Sequence, residues 1–457
     1  MESRMPSKLE TRAGVYEQKK ARIVADFNAM RLADQPIALS KSTSNIFRGN
    51  ARQHAKLDVK ALNQVIAIDV KARTVDVEGM TSYETLVDAV LPLGLAPAVV
   101  PELKTITVGG VYAGIGVETA SGKYGFMHET VLEAEILTAD GRVLLCSPTK
   151  NKDLFYGFPN SYGSLGYALR IKLQLFPVKP YVKLARTTFR GAPEFIRALS
   201  IAGKQARAVN GVDFVEGTVL SHDTRVVTVG TFVDSAPWTR DIYKTPFYKS
   251  IATQKTDYLT TRDYFFRYDP DWFWCSRHFG LENPLMRALM PKSKMRSDVY
   301  YRFAGWTARQ PLIKQLRKLG WRRESLIQDV EAPTAQAAEF VTWFDREIGM
   351  VPYLVAPVQQ YKNVKYPLSP ITPGKQFMNI GFYAPQKTKM TDALHYTKLI
   401  DRKVLSMKVR KMLYSVTTLS SKEFWSLFSK RDYDKLKKKY DPHARLTGLY
   451  EKVSRVR

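Results

Sequence analysis

The stretch Val100-Pro101-Glu102-Leu103-Lys104-Thr105-Ile106-Thr107-Val108-Gly109-Gly110-Val111-Tyr112-Ala113-Gly114-Ile115-Gly116-Val117-Glu118 decides how this chain is read. A prolyl turn and a short apolar step lead into a glycine pair, and a Gly-x-Gly follows. Without a Cβ, glycine lets backbone N–H groups come close to a phosphate. Four glycines within eight positions point to a large anionic cofactor; the plainer alternative is a glycine-rich turn between strands. No Gly-Lys-Ser/Thr closes the segment, which excludes a P-loop. The spacing is also not the Gly-x-Gly-x-x-Gly that opens a dinucleotide-binding helix. Downstream, Val131–Leu137 alternates apolar and polar residues as a half-buried strand does. Ala139-Asp140-Gly141-Arg142 reads as a hairpin turn and Val143–Cys146 as the returning strand.

Pro101-Glu102-Leu103, Thr107-Val108-Gly109-Gly110, Gly114-Ile115-Gly116-Val117-Glu118, Lys123-Tyr124-Gly125, Ala139-Asp140-Gly141 and Asp153-Leu154-Phe155-Tyr156 together resemble the flavin-binding half of the vanillyl-alcohol-oxidase (PCMH-type) family. Later landmarks resemble its delta-24 sterol reductase branch, which also takes in bacterial reductases of methylene-branched fatty acyl chains. They are Asp213-Phe214-Val215-Glu216-Gly217, Gln328-Asp329-Val330-Glu331-Ala332-Pro333, Asn379-Ile380-Gly381-Phe382-Tyr383 and Glu423-Phe424-Trp425. The likeness runs from about residue 37 to about 440. It implies an α+β fold, with a two-part PCMH-type FAD-binding domain and an α+β substrate cap. It further implies FAD contacts at Pro101, Glu102, Leu103, Thr107, Val108, Gly109, Gly110, Gly114, Gly116, Glu118, Ser121, Tyr124 and Gly125. The family opens its flavin domain with a longer glycine-rich loop. Here Leu39-Ser40-Lys41-Ser42-Thr43-Ser44-Asn45-Ile46-Phe47-Arg48 has no glycine, so Lys41, Thr43, Ser44 and Asn45 are assigned to the phosphates through hydroxyls, an amide and a cation. No His or Cys stands where covalent members attach their flavin, so non-covalent FAD is expected.

A chain of 457 residues exceeds one ordinary core. The expected parts are a basic helical leader at 1–36, the FAD-binding domain at 37–178, the cap at 179–400 and a helical tail at 401–457 that, by the resemblance, packs back on the flavin domain. Tyr16, Ile23, Phe27 and Met30 give the leader its helical spacing. Two cysteines, Cys146 and Cys275, are too few for a disulfide framework; both read as buried and reduced, which favours a cytoplasmic setting. The six histidines show no metal-ligand spacing.

A net charge of +27 calls for an acidic partner or reflects general solubility. No helix-turn-helix, zinc-finger or RNA-recognition pattern is present, so nucleic acid is not expected. An anionic membrane surface fits better. No apolar run reaches the roughly 20 residues of a bilayer span, and the N-terminus lacks a signal-peptide core. The expectation is therefore a peripheral protein on the inner face of a membrane. Two stretches are candidate docking helices, each with an ordinary packed helix as the alternative. Pro311–Arg323 places Leu312, Leu316 and Leu319 on one face, with Lys and Arg around them and Trp321 at the end. Asn283–Arg296 is the second basic and apolar patch.

Flavin chemistry on a carbon–carbon double bond needs a hydride at one carbon and a proton at the other, so an acid is required near the ring. Cap candidates are Glu216, Asp263, Tyr264, Tyr268, His278, Tyr300, Tyr301 and Glu331. The run Asp263-Tyr264-Phe265-Phe266-Arg267-Tyr268-Asp269 is densest in proton carriers, so Asp263, Tyr264, Tyr268 and Glu216 are taken as the catalytic set. His278, amid aromatics, reads as a packed core residue. Three activities remain open. One is reduction of a lipid C=C with NADPH. The second is the reverse, desaturation of a methylated acyl chain, with an electron-transfer protein or a lipid methyltransferase as partner. The third is oxidation of a sugar or alcohol, disfavoured by the aromatic cap.

Overall fold

Alternation at period two builds two sheets, which the computed structural model describes for residues 8–32, 35–41, 55–307, 309–318, 322–388 and 392–454. The first sheet holds β3 (Val65–Asp69), β4 (Thr74–Glu78), β5 (Leu95–Pro97), β6 (Val131–Leu137), β7 (Val143–Cys146) and β8 (Tyr167–Pro177). Its order is β3-β4-β8-β6-β7, with β5 added to β8, and every pairing is antiparallel. The hairpin expected at Ala139–Arg142 joins β6 to β7, with Gly141 at φ +85°. A smaller parallel pair, β1 (Ile37–Ser40) and β2 (Ala55–Asp58), lies beside it.

The leader is built into this domain. Its helix Lys8–Arg31 buries Tyr16, Ile23 and Phe27 in one cluster with Ile37, Leu57 and Tyr167. Tyr16 Oη donates to Glu135 Oε2 at 2.8 Å, and Lys19 pairs with Glu78 at 2.9 Å.

The cap sheet comprises β9 (Tyr181–Phe189), β10 (Phe214–Ser221), β11 (Thr224–Val233), β12 (Thr256–Thr260), β13 (Arg322–Pro333), β14 (Tyr353–Gln359), β15 (Gln376–Thr388) and β16 (Arg410–Lys411). The order is β12-β9-β11-β10-β14-β15-β13-β16. Helices Ala192–Gln205 and Thr334–Glu347 cover one face. A Cβ on Gly217 would meet Phe195 at 2.5 Å and Leu199 at 2.8 Å, so Gly217 faces these helices and its neighbours Glu216 and Thr218 face the other way. That second face looks toward the first domain.

Two boundaries differ from expectation. The helix His395–Met407 spans residue 400, burying Ile400 and Val404, and β16 still pairs with β13, so the cap runs to about residue 411. Of the helix expected over Pro311–Arg323, Pro311–Lys318 is helical, Leu319 and Trp321 lie outside the described residues, and Arg322 and Arg323 of β13 instead pair with Thr388 and Lys387. The alternation of Glu324 to Val330 draws those residues into the sheet. The tail helices pack on the first domain. Tyr440 Oη donates to Asp153 at 2.8 Å, and Lys437 Nζ to the Ser164 carbonyl at 2.9 Å. Both cysteines are buried and free.

Candidate active site

A cavity of about 860 Å³ opens where the two sheets face each other. Glycines form its first wall. Thr107 caps the helix Val108–Ala113, its Oγ1 accepting from the Gly110 N–H at 3.3 Å. The Gly109 N–H donates to the Gly79 carbonyl at 2.9 Å, and a Cβ on Gly109 would stand 2.5 Å from that oxygen. Gly109 thus lets two backbones cross. Gly110 is exposed to the cavity, and its Cβ would meet only Thr107 Oγ1, at 2.8 Å. Gly114 and Gly116 continue the wall, which Gly163 and Gly166 extend. Lys41 and Lys452 line it as well. A wall of glycines with two lysines beside it suits a dinucleotide, and the volume lies within the usual range for cofactor pockets. These residues fit FAD.

Of the expected cofactor contacts, Lys41, Pro101, Glu102, Leu103, Thr107, Gly109, Gly110, Gly114, Gly116 and Glu118 line the cavity. Val108 and Ser121 are buried behind it, with Ser121 Oγ accepting from the Glu118 N–H at 2.9 Å. Tyr124 packs instead on Phe176 and Tyr361, and Gly125, at φ +68°, begins the turn that admits the Glu129 carboxylate. Thr43, Ser44 and Asn45 lie outside the described residues.

The second wall is the cap sheet. Gly217 pairs with Val355, which sets Glu216 in line with Ala356; Ala356 pairs with Asn379 and Asn379 with Glu331. In the next row, Leu354 pairs with Gly381 and Gly381 with Asp329. Glu216, Leu354, Ala356, Asn379, Gly381 and Asp329 all line the cavity. Acids therefore stand at both ends of a floor of small and apolar residues. Phe273, Trp274, Tyr301, Phe382 and Tyr383 close the sides.

Around Glu216 lies a buried ion network. Arg267 Nη2 donates to Glu102 at 2.8 Å and also to Glu216; Tyr268 Oη donates to Glu216 at 2.7 Å. Tyr264 meets Thr119 Oγ1 at 2.9 Å, and Arg267 stacks on its ring. Burial raises Glu102 to about 7, against the pull of Arg267, and lifts Glu118 well above the usual carboxylate range. At the other end, burial raises Asp329 to about 6 while hydrogen bonds from Tyr414 and Asn379 hold it down. Glu331 lies behind, raised by burial to about 8, accepting from Asn379 Nδ2 at 2.7 Å.

Within the expected catalytic set, Glu216 reaches the cavity, Tyr268 and Tyr264 stand one contact behind it, and Asp263 is outside the lining. Asp263 sits in the first turn of the short helix Thr261–Phe265, its N–H donating to the capping Thr260 Oγ1 at 3.1 Å. His278 is exposed at the surface; it is not a core residue. Tyr300 donates to the Pro270 carbonyl at 2.8 Å, and Tyr301 lines the cavity. Sequence reasoning gave Asp329 and Asn379 no role, although both lie in quoted landmarks, and missed Tyr414 and Gly79. The alternation in Gln328–Pro333 does contain the signal, because Asp329 and Glu331 share one face.

Residues 15–147 match the family model described as an FAD binding domain. The chain is 27% identical over 418 residues to the human Delta(24)-sterol reductase, covering 86% of this chain and 77% of that one. It is 25% identical over 454 residues to the enzyme of that name from Pisum sativum, covering 89% and 77%. Cytokinin dehydrogenase 7 of rice aligns over 145 residues at 28% identity, 32% of this chain and 28% of that protein. Residues 15–147 of this chain thus match an FAD-binding domain of the PCMH type, and the chain is similar over most of its length to the delta(24)-sterol reductases.

Proposed function

We propose that this chain is an FAD-dependent oxidoreductase that reduces a carbon–carbon double bond in a membrane lipid, with NADPH as the electron donor. The observation that carries this reading is one cavity with two unlike walls, glycines and lysines on one side, aromatic side chains and a sheet floor of small residues on the other. FAD, when bound, supplies and accepts hydride. Gly110 and Lys41 hold its phosphates, Arg267 fixes the carboxylates around the ring pocket, and Phe273, Trp274, Phe382 and Tyr383 exclude water. An apolar slot suits a sterol side chain or a methylene-branched acyl chain and gives a sugar few partners. The similarity to proteins named Delta(24)-sterol reductase supports the same chemistry.

The lipid arrives from an anionic membrane surface. Leu285, Leu289, Trp306 and Leu312 are each more than half exposed on three consecutive helices, Pro284–Leu289, Ser297–Thr307 and Pro311–Lys318. Exposed Lys292, Lys294, Arg302 and Arg309 lie among them. Tyr301 belongs both to this exposed face and to the cavity lining, so the mouth opens beside it. Among the described residues no helix is long and apolar enough to cross a bilayer.

Anaerobic mixing of the yellow protein with NADPH tests the reading. Bleaching, followed by recovery of colour on adding vesicles with an unsaturated lipid, is expected. Bleaching by a methylated saturated lipid alone would reverse the direction to desaturation, and bleaching by a soluble sugar or alcohol would replace it with an oxidase.

A further inference from the structure

We propose that Asp329 is the catalytic acid of this site, giving its proton to one carbon of the double bond as the other carbon takes up hydride. The inference rests on the reductase reading above. One carbon–carbon π bond is lost and two C–H bonds form. The electron pair and one hydrogen come as hydride from the reduced flavin; the second hydrogen comes from the Asp329 O–H bond. Asp329 is left as a carboxylate and recovers a proton from water after the product leaves.

Geometry separates Asp329 from the other acids of the cavity. Glu216 accepts from Arg267, from Tyr268 at 2.7 Å and from Thr218 at 3.1 Å, so both its oxygens are engaged. Glu102 is tied to Arg267 at 2.8 Å, and Glu118 accepts the Glu102 N–H at 3.3 Å; both belong to the glycine wall, where the cofactor must lie. Asp329 stands on the opposite wall, on the cap floor that faces substrate. The groups that hold its titration down are Tyr414 and Asn379, both neutral donors, with no cation among them. The cation nearest along the sheet, Lys411, is committed to Asp401 at 2.5 Å.

Its position is built. Asp329 pairs with Gly381 in β15, and a Cβ on Gly381 would come within 2.7 Å of Asp329 Oδ1. The missing side chain is the space the carboxyl occupies. Asn379 stands between Asp329 and Glu331, and Tyr414 faces Asp329 from the chain after β16. The titratable groups that face it are therefore Tyr414, Glu331 and, across the cavity, Glu102. Burial keeps Glu331 protonated at neutral pH, so it adds no second negative charge. An acid that titrates near the operating pH is the efficient kind.

The test uses the FAD-loaded protein and its Asp329→Asn and Tyr414→Phe variants. Vesicles carrying a delta(24)-unsaturated sterol or a methylene-branched acyl phospholipid serve as probes. Reduced wild-type protein should be reoxidised by one of them. Asp329→Asn should keep its yellow colour and its reoxidation by oxygen, but lose reoxidation by the alkene at least 100-fold. In wild type the alkene step should fall as pH rises through the Asp329 titration. Tyr414→Phe removes a donor to the carboxylate and should move that midpoint upward. Independently of turnover, the infrared carboxylic-acid band of the resting protein should lose one component in Asp329→Asn. Alkene reoxidation within threefold of wild type, or an unchanged infrared band, overturns Asp329 as the acid. Failure of wild type with every alkene, with the infrared component present, overturns the reductase reading instead.

Discussion

Gly109 and Gly110 are neighbours with different tasks. A Cβ at 109 would press on the Gly79 backbone, which has nowhere to go, whereas at 110 it would meet a single side-chain oxygen and otherwise project into the cavity. Gly109→Ala should therefore fail as a fold, giving insoluble protein or a melting temperature lowered by several degrees. Gly110→Val should fold but purify colourless, with the melting temperature no longer rising on addition of FAD. Equal FAD retention by the two variants would show that the pair acts as one unit. The pair itself was legible because glycine spacing is a local property of the sequence. Asp329 was not assigned, because its partners Gly381 and Tyr414 come from distant strands and only the β13–β15 register brings them to it. Asp263 drew attention because proton carriers crowd its neighbourhood. Those neighbours, Tyr264 and Tyr268, turn inward to Thr119 and Glu216, while Asp263 stays at a helix start.

At the scale of elements, β3, β4, β6, β7 and β8 could be read from the sequence, β8 most cleanly because buried and half-buried residues alternate along it, whereas β5, three residues buried throughout, carries no such pattern. The short helices after residue 283 could be read as basic and apolar, but not as docking or packed. Packing divides them. Arg287, which reads as part of a basic patch, is buried and holds Asp271 at 2.7 Å, so it serves the fold. Leu285, Leu289, Trp306 and Leu312 remain outside. Replacing these four with Ser should leave the melting temperature within about 2 °C, since exposed positions contribute little to stability. Co-sedimentation with anionic vesicles should drop at least tenfold. Replacing Lys292, Lys294, Arg302 and Arg309 with Gln should instead weaken binding most at low salt, because each cation near the surface contributes about 1 kcal/mol that ions screen. Undiminished vesicle binding by the first variant would remove this face from the account.

The whole molecule combines a large surplus of cations outside with a set of buried carboxyls inside, and the two respond oppositely to pH. Folding raises Glu331 to about 8, Glu102 and Glu129 to about 7 and Asp329 to about 6, each mainly by burial, from ordinary values near 4. The native state thus keeps protons that the unfolded chain releases, so these groups make stability fall as pH rises from about 4.5 to 8. His128 works the other way. Burial lowers it to about 3, so its contribution makes stability rise up to about pH 6.5 and is constant above. Between pH 6.5 and 8 the carboxyls alone remain, and the melting temperature should decline through that window. Deprotonation there also brings the native charge down toward the formal +27, which counts every carboxyl as ionised, and so relieves repulsion among surface cations. Salt separates the two effects, because it screens exposed charges and leaves buried ones almost untouched. The decline should therefore be steeper at 0.5 M salt than at low salt. Glu331→Gln, neutral at every pH and still able to accept from Asn379, should flatten it, with the largest change near pH 8. A melting temperature that climbs across this window at high salt, measured by calorimetry on the FAD-loaded protein, would mean that these carboxyls are ionised in the native state.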